Sequence, residues 1–289
     1  MTEHEPSYLF SHTERLDEML NVPDVVFVVP YRNREQHKHF YTRYMKDHIL
    51  KDVDYKWQII FVHQCDMRAF NRGAMKNLGF KYLKDKYPKY YKDITIVFND
   101  VDTAPYKPNL VDFRTKQGVV KHFYGFDFAL GGIASIKACD FESLNGFPNL
   151  WAWGFEDNEL QLRWIETFGK NNIDRSTFFK EGDSHILVIF HGVHKLVSPK
   201  QKEEYGDIGL RNRKPNSKRT NGLNTIYDVK YENQEVEPNV IMVNVNKFET
   251  HNKAENYTYE KIDLSKVKYG ISGRRHGQMG MLNIRSQKS

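Results

Sequence analysis

Two patterns alternate along this chain, and that order constrains its fold more than any other feature. Short runs of β-branched and aromatic residues occur at Val25–Val29 in "DVVFVVPYRNRE", Trp57–His63 in "KWQIIFVHQ" and Ile94–Phe98 in "DITIVFNDVD". Between them lie segments with helical spacing, Arg34–Leu50 and Arg68–Lys86; in the second, Ala74, Leu78 and Leu83 can share a face. Strands alternating with helices predict an α/β domain with a mainly parallel, Rossmann-like sheet flanked by helices. Pro30 is expected to stop the first run. "GGIASI" and Ile186–Phe190 read as further strands and Glu156–Phe168 as an amphipathic helix. Apolar character returns at Val240–Val245. Ligands of such sheets bind just past the strand ends, so the polar residues there are the first candidates for a site.

The chain divides into a polar leader over 1–22, a main domain over 23–248 and a polar, basic tail over 249–289. Within the domain, 195–220 is charged and rich in breakers, as expected of a long loop acting as a lid. A length of 289 residues with 39% hydrophobic content allows a sizeable core. The net charge of +6 is scattered, which suits a nucleotide ligand and gives no reason to expect nucleic acid. The two cysteines, Cys65 and Cys139, have neither CxxC nor zinc spacing, so no disulfide framework is expected and a reducing, cytoplasmic setting is. No secretory signal and no bilayer-length apolar run is present.

Four stretches carry candidate chemistry. Asp100 and Asp102 follow the third run; Asp-x-Asp there is a polar turn or a pair of hard oxygen ligands for Mg²⁺ or Mn²⁺. His191 and His194 in "VIFHGVHKL" are packing residues or imidazole ligands, and imidazoles beside a carboxylate favour Mn²⁺. Gly154, Glu156 and Asp157 follow Trp151 and Trp153 and open a helix. Acidic residues suit a helix N-terminus, and a carboxylate beside an aromatic platform can also act as general base on a sugar hydroxyl. Arg32 and Arg34 in "PYRNRE", with Phe70, Asn71 and Arg72 in "AFNRG", are surface ion pairs or a set that grips phosphate and base. There is no Walker A loop, HExxH or GxSxG, and no obvious serine or cysteine nucleophile. The inventory fits direct transfer from a nucleotide-activated donor to a hydroxyl.

Taken in order, "VVPYRNREQH", "FNRGAMKNLGF", "FNDVDTAP", "GGIASI…FESLNGFPNLWAWGFEDNE", "HGVH" and "NGLNTIYDV" resemble the β-1,4-galactosyltransferase family, glycosyltransferase family 7, from about Val25 to about Val245. "HQCDMRAFNR" and "NGLNTIYDV" look nearest to its xylosylprotein galactosyltransferase branch. The resemblance implies a GT-A fold, a UDP-sugar donor, Mn²⁺ (with Mg²⁺ or another divalent cation as substitute) and inversion at the anomeric carbon. It implies that Asp102, His191 and His194 hold the metal, and that Asp100 and Val101 lie against the nucleotide. Pro30, Tyr31, Arg32, Arg34, Phe70 and Arg72 would hold uridine and phosphate. Asp157 would be the base with Glu156 beside it, Trp153 would sit over the donor, and Gly154 and Asn158 would face a glycan, glycoside or glycoprotein acceptor.

The chain departs from the family pattern in places. The family usually reads WGWGxEDD, where this chain has Ala152 for a glycine and Asn158 for a carboxylate. Ahead of Gly131-Gly132, where the family often has tyrosines, stand Phe126 and Ala129. A smaller residue there leaves room for an N-acetyl group, so UDP-GalNAc, UDP-GlcNAc and UDP-glucose stand beside UDP-galactose as donors. The family's Golgi members carry an anchor and disulfides, and neither is seen here; a cytosolic, microbial or viral version, or a trimmed Golgi ectodomain, is expected. A metal-dependent phosphohydrolase and a non-catalytic glycan- or nucleotide-binding protein are the other readings.

Overall fold

In the computed structural model the described residues are 21–152, 154–189, 194–197, 219–254 and 258–261, the two four-residue stretches by backbone alone. β1 (Val25–Tyr31) leads to α1 (Glu35–Tyr44), which widens into a π-turn over Met45–Ile49. β2 (Trp57–Gln64) leads to α2 (Arg72–Lys86), and β3 (Thr95–Asn99) to the short β4 (Thr103–Pro105). β5 (Val120–Gly125), β6 (Ile133–Lys137), α3 (Ala138–Ser143) and α4 (Glu156–Phe168) follow. The later strands are β7 (Ile173–Asp174), β8 (Phe179–Lys180), β9 (Ile186–Val188), β10 (His194–Val197), β11 (Ile226–Glu237), β12 (Val240–Thr250) and β13 (Thr258–Lys261).

The main sheet has the order β11-β12-β2-β1-β3-β6-β5-β7, with β8 also beside β5. Its centre, β12-β2-β1-β3, is parallel; β6 runs antiparallel to β3 and to β5, and β11 antiparallel to β12. The result is a mixed, mainly parallel sheet. The pairs β4–β9 and β10–β13 form two small antiparallel sheets.

Every residue of β1 is buried, which explains the unbroken apolar run: both faces of a central parallel strand are covered. Side chains alternate between the faces. Val26 and Val28 join Ile60, Val62 and the α2 residues Ala74, Leu78 and Leu83 in one cluster. Val25, Phe27 and Val29 join Ile59, Phe61 and the α1 residues Tyr41 and Met45 in the other. Each such fully buried side chain contributes about 1.5–3 kcal/mol. α2 lies close on the sheet at Gly79, where an added Cβ would stand 2.5 Å from Val28 Cγ1 and 3.0 Å from Val62 Cγ2.

Three elements differ from expectation. Pro30 does not stop β1; it pairs with Val62 of β2. The β3 ladder ends at Val28, so the missing N–H falls where β1 has a neighbour on one side only. The strand expected at Ile186–Phe190 is β9, which pairs with β4 outside the main sheet. Residues 258–261, inside the expected tail, form a strand beside 194–197 at the start of the expected lid. The leader up to residue 20, the rest of the lid up to 218 and residues 262–289 lie outside the described residues. Among the described residues no helix is long and apolar enough to cross a membrane.

Candidate active site

The strand β3 ends in a tight turn that carries two carboxylates. Asn99 closes it: its Nδ2 donates to the Asp100 carbonyl (2.7 Å) and to the carbonyl (2.9 Å) and Oγ1 (3.2 Å) of Thr103. The Thr103 N–H returns to the Asp100 carbonyl at 3.2 Å. Asp-x-Asp is therefore a turn in backbone terms as well as an array of carboxylates. Asp100 accepts from Arg72 Nη2 with both oxygens, at 2.8 and 2.9 Å. Asp102 acts on Arg34: burial lowers the Arg34 pKa and the Asp102 charge opposes the fall. Arg34 Nη1 is buried without a hydrogen-bond partner among the described residues. Val101, between the two, is buried in the apolar cluster on the α1 face.

Arg72 is the hub of the site. Besides Asp100, its Nε lies 3.4 Å from Glu156 Oε1 and its Nη2 lies 3.8 Å from Asp157 Oδ2. Burial works against the guanidinium, but Asp100, Glu156, Asp157 and Asp102 together raise its pKa and keep it charged. Burial likewise pushes the Asp100 and Glu156 carboxyls up, while Arg72 pulls both down. Glu156, Asp157 and Glu159 fill the first turn of α4, where the helix dipole favours negative charge. Lys76, one turn along α2 from Arg72, places Nζ 2.7 Å from Asp157 Oδ1, and its side chain is only 2% exposed. The i,i+4 spacing of two cations at the start of a helix was the available sequence signal for Lys76.

The turn before α4 is backbone-strained. Ala152 (φ 68°), Gly154 (φ 102°) and Phe155 (φ 70°) lie in the left-handed region, which clusters at functional sites. The Ala152 N–H donates to the Phe70 carbonyl at 3.0 Å, tying this turn to the segment before α2. The start of α4 is stitched to 127–131: the Leu130 N–H donates to the Asp157 carbonyl (3.0 Å), Asn158 Nδ2 to the Phe128 carbonyl (3.3 Å) and Gln161 Nε2 to the Asp127 carbonyl (3.2 Å). A Cβ on Gly131 would clash with Asp157 Oδ2, so glycine makes room for that oxygen. Beside it, Phe126 and Phe128 stack with centroids 5.1 Å apart, both about half exposed.

His122, which the sequence did not single out, braces this loop from β5. Arg175 Nε donates to its Nδ1 at 3.1 Å, so Nε2 carries the proton and faces the Tyr124 and Gly131 carbonyls, each at 3.0 Å. Burial, aided by Arg175, pushes its pKa down to about 4.

The other nucleotide-side candidates have local partners. Tyr31 is buried and donates to Glu35 Oε2 at 2.7 Å. Arg32 Nη1 donates to the Arg68 carbonyl. Phe70 packs against the α2-face cluster. Asn71 does not reach out to a base: its Oδ1 caps α2 by accepting from the Ala74 N–H at 2.9 Å. Trp153 and His191 lie outside the described residues, and of His194 only the backbone in β10 is described. The described residues alone bring together no group of three potential metal ligands. The Ile189 N–H does donate to the Asp102 carbonyl at 2.8 Å, two residues before His191 in the chain.

Two solved structures share this fold. The catalytic domain of Drosophila β1,4-galactosyltransferase 7 with xylobiose aligns with a TM-score of 0.59 at 22% identity, over 78% of this chain and 94% of that one. A mutant of the same enzyme with manganese, UDP-Gal and xylobiose aligns with a TM-score of 0.56 at 22% identity, over 80% and 96%. The fold is thus that of the GT-A glycosyltransferases. The N-terminal region of glycosyl transferase group 7 matches residues 17–111, and the N-terminal domain of galactosyltransferase matches residues 120–185. The chain belongs to glycosyltransferase family 7, the β-1,4-galactosyltransferase family. Xylosylprotein 4-β-galactosyltransferase of Caenorhabditis elegans is 29% identical over 187 residues, 62% of this chain and 60% of that protein. β-1,4-Galactosyltransferase 1 of Bos taurus is 32% identical over 149 residues, 48% of this chain and 36% of that protein. The chain thus spans less than two thirds of the length of these relatives.

Proposed function

We propose that this chain is an inverting, Mn²⁺-dependent galactosyltransferase that moves galactose from UDP-galactose to a hydroxyl of a glycan or glycoside, forming a β-linkage. The observation that carries the reading is the Arg72 hub, whose one guanidinium joins Asp100 of the Asp-x-Asp turn to Glu156 and Asp157 of α4. A donor-side carboxylate and a base are thereby held on either side of a single cation. Asp157 takes the proton from the acceptor hydroxyl, and the acceptor oxygen attacks the anomeric carbon as the bond from that carbon to UDP breaks. Such a displacement needs one base and no enzyme nucleophile, in keeping with the residues present. General base catalysis typically contributes on the order of 10²–10⁴-fold.

The donor set fits a hard divalent ion. Asp102 offers a carboxylate at a strand end, and His191 and His194 would complete the ligand set. Arg34, whose buried Nη1 lacks a hydrogen-bond partner among the described residues, is within the electrostatic reach of Asp102 and suits an anion such as a diphosphate. Bound there, Mn²⁺ supplies positive charge to the leaving diphosphate. The solved neighbour with manganese, UDP-Gal and xylobiose makes galactose the favoured donor sugar and a xylose-containing glycan the favoured acceptor. Ala129, small and buried where the family often has tyrosine, supports UDP-GalNAc as a second donor. Release of UDP from UDP-galactose, UDP-GalNAc, UDP-GlcNAc and UDP-glucose, with Mn²⁺ and xylobiose, tests the proposal. Galactose transfer that stops on chelation is expected. Absence of turnover with every donor overturns it.

A further inference from the structure

Lys76 is a buried cation to which the reaction above gives no task. A lysine this deep needs a partner. Its Nζ has Asp157 Oδ1 at 2.7 Å and the centroid of the Phe147 ring at 4.5 Å. Other groups also face Asp157: Arg72 from α2, Glu156 beside it on α4, Asp100 across Arg72 at the end of β3, and His122 from β5. Arg72 already gives two hydrogen bonds to Asp100 and approaches Glu156. Lys76 Nζ stands at hydrogen-bonding distance from Asp157, whereas Arg72 Nη2 is 3.8 Å away.

We propose that Lys76 is a positioning residue: its ammonium holds Oδ1 of Asp157 while Oδ2 lies against Gly131 and 3.8 Å from Arg72 Nη2, and this grip fixes the orientation in which the carboxylate meets the acceptor hydroxyl. This rests on the reading of Asp157 as the base. Lys76 touches neither donor nor acceptor; it acts through the carboxylate.

The test uses the whole chain with UDP-galactose, Mn²⁺ and xylobiose. Lys76→Met keeps the volume and removes the charge. A misdirected base is expected to lower kcat by about 10-fold or more while the donor KM stays within about twofold. Lys76→Arg recovers much of the loss. In an Asp157→Asn background Lys76→Met has nothing left to position and causes no further loss. Wild-type kcat in Lys76→Met overturns the proposal, as does an equal loss in the Asp157→Asn background, which would mark a role in folding alone. If the methionine variant does not fold, Lys76→Gln, which keeps an N–H donor, carries the same comparison. Full activity in Asp157→Asn by itself would instead remove the base, whatever Lys76 does.

Discussion

Ala152 shows what a single methyl group does at this site. It sits at φ 68° in the turn before α4, where the family pattern has glycine. A left-handed conformation costs an L-residue about 1–2 kcal/mol, and a glycine returns about 0.5–1 kcal/mol of that as lost chain entropy. Ala152→Gly is therefore expected to stabilise the protein by up to about 1 kcal/mol, read as a higher urea midpoint. A lower midpoint would mean that packing of the buried methyl outweighs the strain. The single residues of the site were legible in sequence as polar groups just after apolar runs. Their partners were not. Lys76 and Asp157 are 81 positions apart, and nothing local in the sequence pairs them. Asn71, one of the residues able to meet a base, caps α2, a use of asparagine that local sequence shows equally well.

At the scale of elements, α2 decides where Arg72 and Lys76 stand. Gly79 lets the helix approach β1 and β2, and a methyl group there would press on Val28 and Val62, whose branched side chains have little freedom to move. Gly79→Ala is expected to cost about 1–3 kcal/mol in overpacking against about 1 kcal/mol gained in helix propensity. A clear net loss of stability by urea unfolding, with lower transferase activity as α2 shifts, is the expected outcome; a stabilised, fully active variant would mean that the contact is not tight. The order β1, α1, β2, α2, β3 and the limits of α4 follow from local periodicity, which is why the sequence displayed them. The pairing of β9 with β4 and the passage of β1 through Pro30 depend on which neighbours each strand meets, and local pattern carries no such information.

For the whole molecule, His122 links the loop over 127–131 to pH. Burial holds its folded pKa near 4 against an ordinary value of 6.5. The unfolded imidazole takes up a proton near pH 6.5 while the folded one stays neutral to about pH 4. Its contribution is complete above pH 6.5 and disappears as pH falls through 4, in all about 3 kcal/mol. The urea midpoint of the wild type should fall more steeply than that of His122→Gln between pH 6.5 and 4.5; parallel curves would mean that the imidazole is protonated in the fold. The central claim is that one face of the molecule binds a nucleotide-sugar while Asp157 activates the acceptor. The most direct measurement pairs galactose transfer with UDP–Mn²⁺ affinity in Asp157→Asn. Transfer should fall by on the order of 10²-fold or more while UDP affinity stays within about threefold of wild type. Wild-type transfer in that variant would contradict the account.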